Sequence, residues 1–348
     1  MNDIIGRIID ELGLDRLDTY GQSYLVEQTT FTEAVKEILS GDSSVFEALG
    51  RQLVDAVSNE IMQTKEYIVG MLVFLLTAAM FNRMVNSKNS YLNSVSFLMV
   101  YGALMLILME SFTKIEGLVT SAIDGVIGFM NMMIPVYAST LVMTGNISTG
   151  SAYYIFSFGC LYIIEWISKL VLVPAVQIFL FLVLINNMFE EDSLSKLAEL
   201  LEKIIRFALK LSTGAVFGMG LVQRMVATAR DDVANSLALK TIKVIPGIGN
   251  AVSATGETLL SCGVLIKNCV GVVGIIIILS ILLAPLIRIL IFILGYKLTS
   301  AIVQPIADRR IVEGVNGTAR AGELFLGILC NVGIIFIITV SIVCLGVK

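Results

Sequence analysis

The hydrophobic positions along the chain form long apolar runs that are separated by short polar segments. Seven runs approach the roughly 20 residues that cross a bilayer as a helix. They cover about 67–82, 91–109, 125–144, 152–187, 204–222, 269–296 and 321–345. The run at 152–187 is too long for one straight span and is either a long kinked helix or a tight hairpin. We therefore predict an all-α, polytopic helical membrane protein with about six to eight spans, some of them kinked or re-entrant.

The first 66 residues follow a different pattern, with polar segments and helix-capping signals. Thr-Phe-Thr-Glu at 30–33 and Ser-Val-Phe-Glu at 44–47 both fit the capping box, and Gly41 stands where the helix between them would end. This segment carries a net charge of −8, whereas the rest of the chain carries +4. We predict an acidic, polar helical segment at 1–66 and a multi-pass helical membrane domain at 67–348.

The amino-acid composition supports a membrane protein and excludes the common kinds of catalytic site that need histidine. Of 348 residues, 56% are apolar and 15% charged, the mean hydropathy is +0.88, and soluble domains are about 25% charged. Histidine is absent, which excludes Ser-His and Cys-His catalysis and imidazole metal ligands. The five cysteines have no Cys-x-x-Cys spacing, and there is no Gly-x-x-x-x-Gly-Lys phosphate loop. We predict no catalytic residue, no metal site, no cofactor and no enzymatic activity.

Asp231 and Asp232 form an adjacent pair of carboxylates that could suggest chemistry. Neighbouring side chains on a helix point about 100° apart, and no third acid is near in the sequence. We therefore expect these residues at a solvated surface or at a helix cap.

The segment 223–268 is neither an apolar span nor a charged loop. A helix rich in Ala, Leu and Val runs to about Lys243, and a second helix that presents small residues follows a Pro-Gly break. Small residues let helices approach closely in lipid, and non-helical backbone at membrane depth needs protein or water around it. We predict a broken helical hairpin whose candidates for packing or assembly are Pro246, Gly247, Gly249, Ser253, Gly256 and Gly263.

Three charged residues inside the apolar runs are candidates for function, because a charge in the bilayer costs about 2.5–3.5 kcal/mol on insertion scales. Glu165 and Lys169 are spaced i, i+4 with the acid first, which favours a helical ion pair. They either neutralise each other, lie at a surface turn between two short helices, or line a pore or a subunit contact. Arg288 lies too deep for easy snorkelling, so we expect it to face another subunit or an acid such as Glu323.

Two Ile-Pro pairs, at 134–135 and 245–246, leave a function of another class open. Helices that are broken in both halves of a chain can mark the midplane site of a secondary transporter. Saturable uptake of a small solute by the protein alone would distinguish a transporter from a subunit of a larger assembly.

Short motifs stand in a fixed order in the second half of the chain. Ala-Leu-Lys-Thr-Ile-Lys at 238–243 is followed by Ile-Pro-Gly-Ile-Gly at 245–249, then by Leu-Ile-Lys-Asn-Cys-Val-Gly at 265–271, and later by 296–305. These stretches resemble the stage III sporulation protein AE family of endospore-forming bacteria, over about residues 67–345. The motif positions are Lys240, Lys243, Lys267, Asn268, Gly271, Gln304 and Pro305.

The resemblance implies a non-enzymatic, integral-membrane subunit of a multiprotein channel, a secretion-like apparatus that links mother cell and forespore during endospore formation. Its implied partners are the other stage III sporulation A proteins, including an ATPase and ring-forming subunits, and through them SpoIIQ. The implied location is the mother-cell membrane around the forespore. We expect membrane lipid around the protein, a homo- or hetero-oligomer, and no nucleic-acid partner.

Overall fold

The computed structural model describes residues 13–25, 29–41, 44–85, 90–144, 146–189, 193–242 and 249–344. For some of these residues it describes the backbone alone, chiefly 66–68, 81–85, 232–242 and 249–260. Over these residues the chain is helical and contains no strand. The predicted all-α class is therefore confirmed.

The N-terminal segment forms a small layer of short helices. A 3₁₀ turn at Leu14–Leu17 leads into α1 (Asp18–Tyr24) and α2 (Phe31–Ser40). The predicted capping box of α2 is confirmed, because the Glu33 N–H donates to Thr30 Oγ1 at 3.1 Å and the Thr30 N–H donates to Glu33 Oε2 at 2.9 Å. Gly41 ends α2 with a φ of 82°, a left-handed conformation that glycine adopts at little cost.

This N-terminal layer packs on the membrane body. Leu17 and Phe31 are fully buried, and the Tyr20 ring meets the Phe129 ring edge-on with 5.5 Å between centroids. The next helix, α3 (Ser44–Val85), is continuous. The predicted boundary between residues 66 and 67 thus falls inside one helix, and the division into two domains stays a prediction.

Helix α4 (Ser90–Met143) joins the predicted spans 91–109 and 125–144 into one helix of 54 residues. At 1.5 Å per residue it is about 81 Å long, whereas a bilayer core is roughly 30 Å thick. Pro135 lies inside this helix, so the predicted break at this Ile-Pro pair is wrong. A proline removes one N–H donor, and in a packed bundle neighbouring helices hold the helix together around it.

The overlong run at 152–187 lies in one continuous helix, so the hairpin alternative is wrong. Helix α5 (Ile147–Ile164) passes through a π-helical segment (Glu165–Leu172) into α6 (Val173–Asn186). Pro174 stands at the start of α6 and has no N–H to donate. A π-helical turn is one of the ways in which a helix absorbs such an interruption without ending.

Three long helices complete the fold: α7 (Ser195–Ile242), α8 (Gly249–Val303) and α9 (Arg309–Cys344). Helices α8 and α9 pack as an antiparallel hairpin at the centre of the core, where Ile277 and Phe336 are fully buried. The predicted broken hairpin at 223–268 corresponds to the end of α7 and the beginning of α8. The break itself lies at residues 243–248, outside the described residues.

Five helical stretches among the described residues are long and apolar enough to cross a membrane. They are Asn93–Met143, Ile147–Asn186, Ser195–Asp231, Gly263–Val303 and Arg309–Ile342. The polytopic membrane class is thus confirmed, with fewer such helices than the six to eight spans predicted. The difference from the seven apolar runs has two sources: 91–109 and 125–144 join into α4 through polar residues that stay helical, and the run at 67–82, which lies in α3, is not among the five stretches.

Candidate functional site

A buried lysine lies at one end of the bundle, where α8 meets the end of α9. Lys267 is fully buried, and its Nζ lies 3.5 Å from the carbonyl oxygen of Cys344. Lysines in membranes commonly extend the ammonium group to the interface, but this one is enclosed by the helices of its own chain. The next motif residue, Asn268, has a buried Oδ1 without a hydrogen-bond partner in the described part of the chain.

Gly271 follows Lys267 by one turn of α8 and lets three helices come together. A Cβ at this position would lie 3.2 Å from the Tyr137 hydroxyl oxygen and would overlap the Cys344 sulfur. Tyr137 Oη and Cys344 Sγ are 2.8 Å apart, within hydrogen-bond distance. The structure therefore brings the motif positions Lys267 and Gly271 together around Cys344. The sequence shows only that Cys344 lies in an apolar run, and it does not predict this contact.

Asp231 of α7 caps a neighbouring helix at the same end of the bundle. Its Oδ1 accepts the Ser148 N–H at 2.8 Å, and its Oδ2 accepts the N–H and the hydroxyl of Thr149 at 2.8 and 2.6 Å. The first N–H groups of α5 have no acceptor within their helix, and a carboxylate satisfies them well. We expected Asp231 at a solvated surface or at a helix cap, and the structure supports the cap. The helix that it caps is α5 and not its own helix, α7.

Arg288 joins the membrane body to the N-terminal half of the chain. Its Nε lies 2.7 Å from Glu60 Oε2 of α3, with 37% of the Arg288 side chain and 10% of the Glu60 side chain exposed. The expected acid, Glu323, is instead bound to Lys297, with 2.5 Å between Nζ and Oε1. The expectation for Glu323 is wrong because α3 packs along α8 and places a carboxylate beside Arg288.

Lys169 pairs across helices and not along its own. Its Nζ lies 2.5 Å from Asp124 Oδ1 of α4, and Glu165 is exposed. The predicted pairing of Glu165 with Lys169 is therefore corrected to a pairing of Asp124 with Lys169. The physical reason is that α4 brings a carboxylate within direct ion-pair distance, which the spacing along one helix cannot reveal.

Five charged side chains form a network near the other end of the bundle, about 45 Å along α8 from Lys267. Glu323 binds Lys297 and also Arg206, at 3.4 Å. Glu202 binds Arg206 at 2.9 Å and Arg320 at 3.7 Å. The sequence analysis missed this network, which ties α7, α8 and α9 together. Glu202 and Arg206 are spaced i, i+4, but that spacing does not show which helix their face meets.

The remaining candidates lie apart from these clusters. Gln304 and Pro305 are exposed in the turn between α8 and α9. A Cβ on Gly263 would lie 3.1 Å from the Thr144 methyl group, so this small residue packs against the end of α4. Only the helical backbone is described for Lys240, Gly249, Ser253 and Gly256, and Lys243, Pro246 and Gly247 lie outside the described residues.

The polar groups described above bond across helices and hold them together. Within the described ranges, no three His, Cys, Asp or Glu side chains lie close enough to hold a metal ion. Cross-helix bonds of the same structural kind recur elsewhere: Asn331 Nδ2 donates to the Leu209 carbonyl oxygen at 2.7 Å, and Tyr101 Oη donates to the Leu184 carbonyl oxygen at 2.8 Å.

Comparisons with known proteins agree with the motif resemblance. A family model described as Stage III sporulation protein AE matches residues 29–346. The Stage III sporulation protein AE of Bacillus subtilis (strain 168) is 21% identical over 317 residues, which cover 89% of this chain and 78% of that protein. No solved structure matches.

Proposed function

The chain belongs to the stage III sporulation protein AE family, and on that premise we propose that it is a non-enzymatic, integral-membrane subunit of the multiprotein channel between mother cell and forespore. Family membership makes it a sporulation component of the stage III A type. In this proposal it lies in the mother-cell membrane around the forespore. It assembles there with the other stage III sporulation A proteins, including an ATPase and ring-forming subunits, and through them with SpoIIQ.

The observation that supports an assembled subunit is the uncovered outer face of α7. In an apolar 18-residue segment within Ser195–Asp231, 17% of the residues are buried by the chain, against 61% in the corresponding segment within Arg309–Ile342. Four large apolar side chains are exposed along one side, namely Phe207, Leu211, Leu221 and Met225, and Gly214 and Gly218 continue a spacing of three and four residues between Leu211 and Leu221. We call this side, together with the two glycines between them, the α7 stripe.

Gly214 and Gly218 lie in the middle of the α7 stripe. Among the described residues, no atom of a neighbouring side chain or helix lies within 4 Å of the Cβ position of either glycine. Two small residues four positions apart form a groove in which a second helix packs closely within lipid. Such a groove favours contact with a helix of another subunit, because two helix backbones that approach closely gain van der Waals contacts with each other.

Co-purification from sporulating cells in mild detergent tests the proposal. The wild-type protein is expected to retain other stage III sporulation A proteins, and Gly214→Leu with Gly218→Leu is expected to reduce their recovery at least tenfold. Gly159→Leu is the matched control, because Gly159 is also exposed and has nothing within 4 Å of its Cβ position. Full recovery of partners with the double variant would show that the α7 stripe is not the contact through which the protein assembles.

Secondary transport is the competing function, and it is tested separately. We expect no saturable solute uptake by the purified protein in liposomes. Saturable uptake by this protein alone would replace the proposal. The transporter interpretation has lost one of its two broken helices, since α4 continues through Pro135.

A further inference from the structure

A cavity of about 440 Å³ opens between the end of α6, the start of α7 and the first turns of α9. Its volume lies within the roughly 300–1,000 Å³ of small-molecule sites. The lining includes Asn187, Ser195, Asn316 and Arg320, and also the carboxylates of Glu199 and Glu313. Hydrogen-bonding groups from three separate helices therefore converge on one space.

Asn187 is the side chain that points to a ligand. It is 6% exposed and lines the cavity. Its backbone N–H donates to the Val183 carbonyl oxygen at 3.2 Å, but its carboxamide forms no hydrogen bond with the described residues. The preceding Asn186 differs, because its Oδ1 accepts the Leu194 N–H at 2.8 Å. The amide atoms of Asn187 are not sealed from the cavity that the residue lines, so a ligand there can reach a donor and an acceptor that the described part of the protein leaves unused.

Arg320 brings a positive charge to the cavity that its own neighbours neutralise weakly. Its Nη1 lies 3.7 Å from Glu202 Oε2, and Glu202 is bound more closely by Arg206 at 2.9 Å. Its guanidinium carbon lies 5.8 Å from the centroid of the Phe179 ring. Its Nε is buried and has no hydrogen-bond partner in the described part of the chain. Because the Arg320 side chain is 42% exposed and the Glu202 carboxylate is as far as 3.7 Å away, the terminal N–H groups of the guanidinium are available to an anion.

The two lining carboxylates repel an anion less than free carboxylates would, because each is paired with a cation of its own helix. Glu199 pairs with Lys203 at 2.7 Å, and Glu313 pairs with Arg309 at 2.6 Å. Ser195 is the first residue of α7, so the positive end of a long helix dipole also lies at the cavity.

We propose that this cavity binds a phosphate group through Arg320. Asn187, Asn316 and Ser195 donate hydrogen bonds to the phosphate oxygens. The phosphate belongs either to a phospholipid headgroup or to a soluble phosphate. The apolar helix Ile147–Asn186 ends at this cavity, which is the depth at which phospholipid headgroups meet a membrane protein.

Thermal unfolding of the full-length, delipidated protein in detergent tests the proposal. Short-chain phosphatidylglycerol, inorganic phosphate and a diacylglycerol with the same chains are added separately. A rise in Tm of several degrees with phosphatidylglycerol, and none with diacylglycerol or inorganic phosphate, is expected if the source is lipid. The same rise with inorganic phosphate assigns the site to a soluble phosphate.

Two variants connect the rise in Tm to the cavity. Asn187→Leu keeps the branched shape of the side chain and removes its amide, so its Tm without ligand is expected to stay close to that of the wild type. Both Asn187→Leu and Arg320→Gln are expected to reduce the ligand-induced rise at least threefold. Lys114→Gln, which removes an exposed positive charge from α4, is expected to keep the full rise. No rise in the wild type, or an equal rise in all variants, overturns the proposal.

Discussion

Arg288 of α8 and Glu60 of α3 form an ion pair across two helices, with 2.7 Å between Nε and Oε2. The carboxylate comes from the acidic N-terminal segment, and the guanidinium comes from the middle of an apolar helix. The pair therefore ties the polar front of the chain to the membrane body. It also explains how an arginine that is deep in an apolar run is neutralised without a partner subunit.

Removal of either partner is expected to destabilise the protein. Glu60→Gln leaves Arg288 without its acid, and Arg288→Met leaves a carboxylate that is nearly buried. Because Arg288 is partly exposed, each single change is expected to lower the free energy of unfolding by about 1–2 kcal/mol, less than for a fully buried pair. The double variant is expected to be milder than the sum, as measured by unfolding in detergent. Strictly additive effects would contradict the pairing.

Lys169 is expected to be coupled to Asp124 and not to Glu165. The cycle formed by Asp124→Asn and Lys169→Met should give a coupling free energy of about 0.5 kcal/mol, small because both side chains are partly exposed. The matched cycle with Glu165→Gln should be additive within error. A larger coupling in the second cycle than in the first would restore the pairing along one helix.

Gly271→Ala is expected to disturb the contact of α8 with α4 and α9. The added methyl group meets the Tyr137 hydroxyl and the Cys344 sulfur, and such overpacking costs about 1–3 kcal/mol in the free energy of unfolding. Gly159→Ala, in open space, should leave stability unchanged or slightly raised. Adding Cys344→Ala to Gly271→Ala should recover part of the loss. Equal stability of the Gly271 and Gly159 variants would show that the contact is not tight.

The capping box of α2 is expected to weaken in acid. The pKa of Glu33 is lowered, chiefly because its carboxylate accepts the backbone N–H of Thr30. A group with a lowered pKa in the folded state stabilises it above its ordinary pKa and loses this effect as the pH falls through the lowered value. Hydrogen exchange of the α2 amides, corrected for intrinsic rates, should show this loss in the wild type and not in Glu33→Gln. The same pH dependence in both proteins would contradict it.

Local sequence patterns were sufficient to predict individual helices and their ends, but they did not show which neighbouring runs form one continuous helix. The capping box at Thr30 and the stop at Gly41 were predicted because both depend on residues within one turn of each other. The sequence did not predict that 91–109 and 125–144 form one helix, because Glu110, Lys114 and Glu116 resemble a polar loop. They remain helical in α4, where Lys114 and Glu110 pair at i, i+4 with 2.9 Å between Nζ and Oε1.

The candidate residues divide in the same way. Lys267 and Gly271 could be singled out because the stretch 265–271 resembles a motif of a known family. Their contact with Cys344 could not be predicted, because that residue is more than 70 positions away along the chain. The cavity at Asn187 and Arg320 had no sequence signal at all, since it is formed by three helix ends that only packing brings together.

The sequence by itself determined that this protein is an all-helical, multi-pass membrane protein of a sporulation family, because hydrophobic run length, charge content and short motifs are properties of local sequence. The tertiary structure alone decided which runs form one helix, which acid neutralises Arg288 and Lys169, and where polar groups converge. Those features depend on helix packing, in which the partner of a charge is whatever group the neighbouring helix places within a few ångströms.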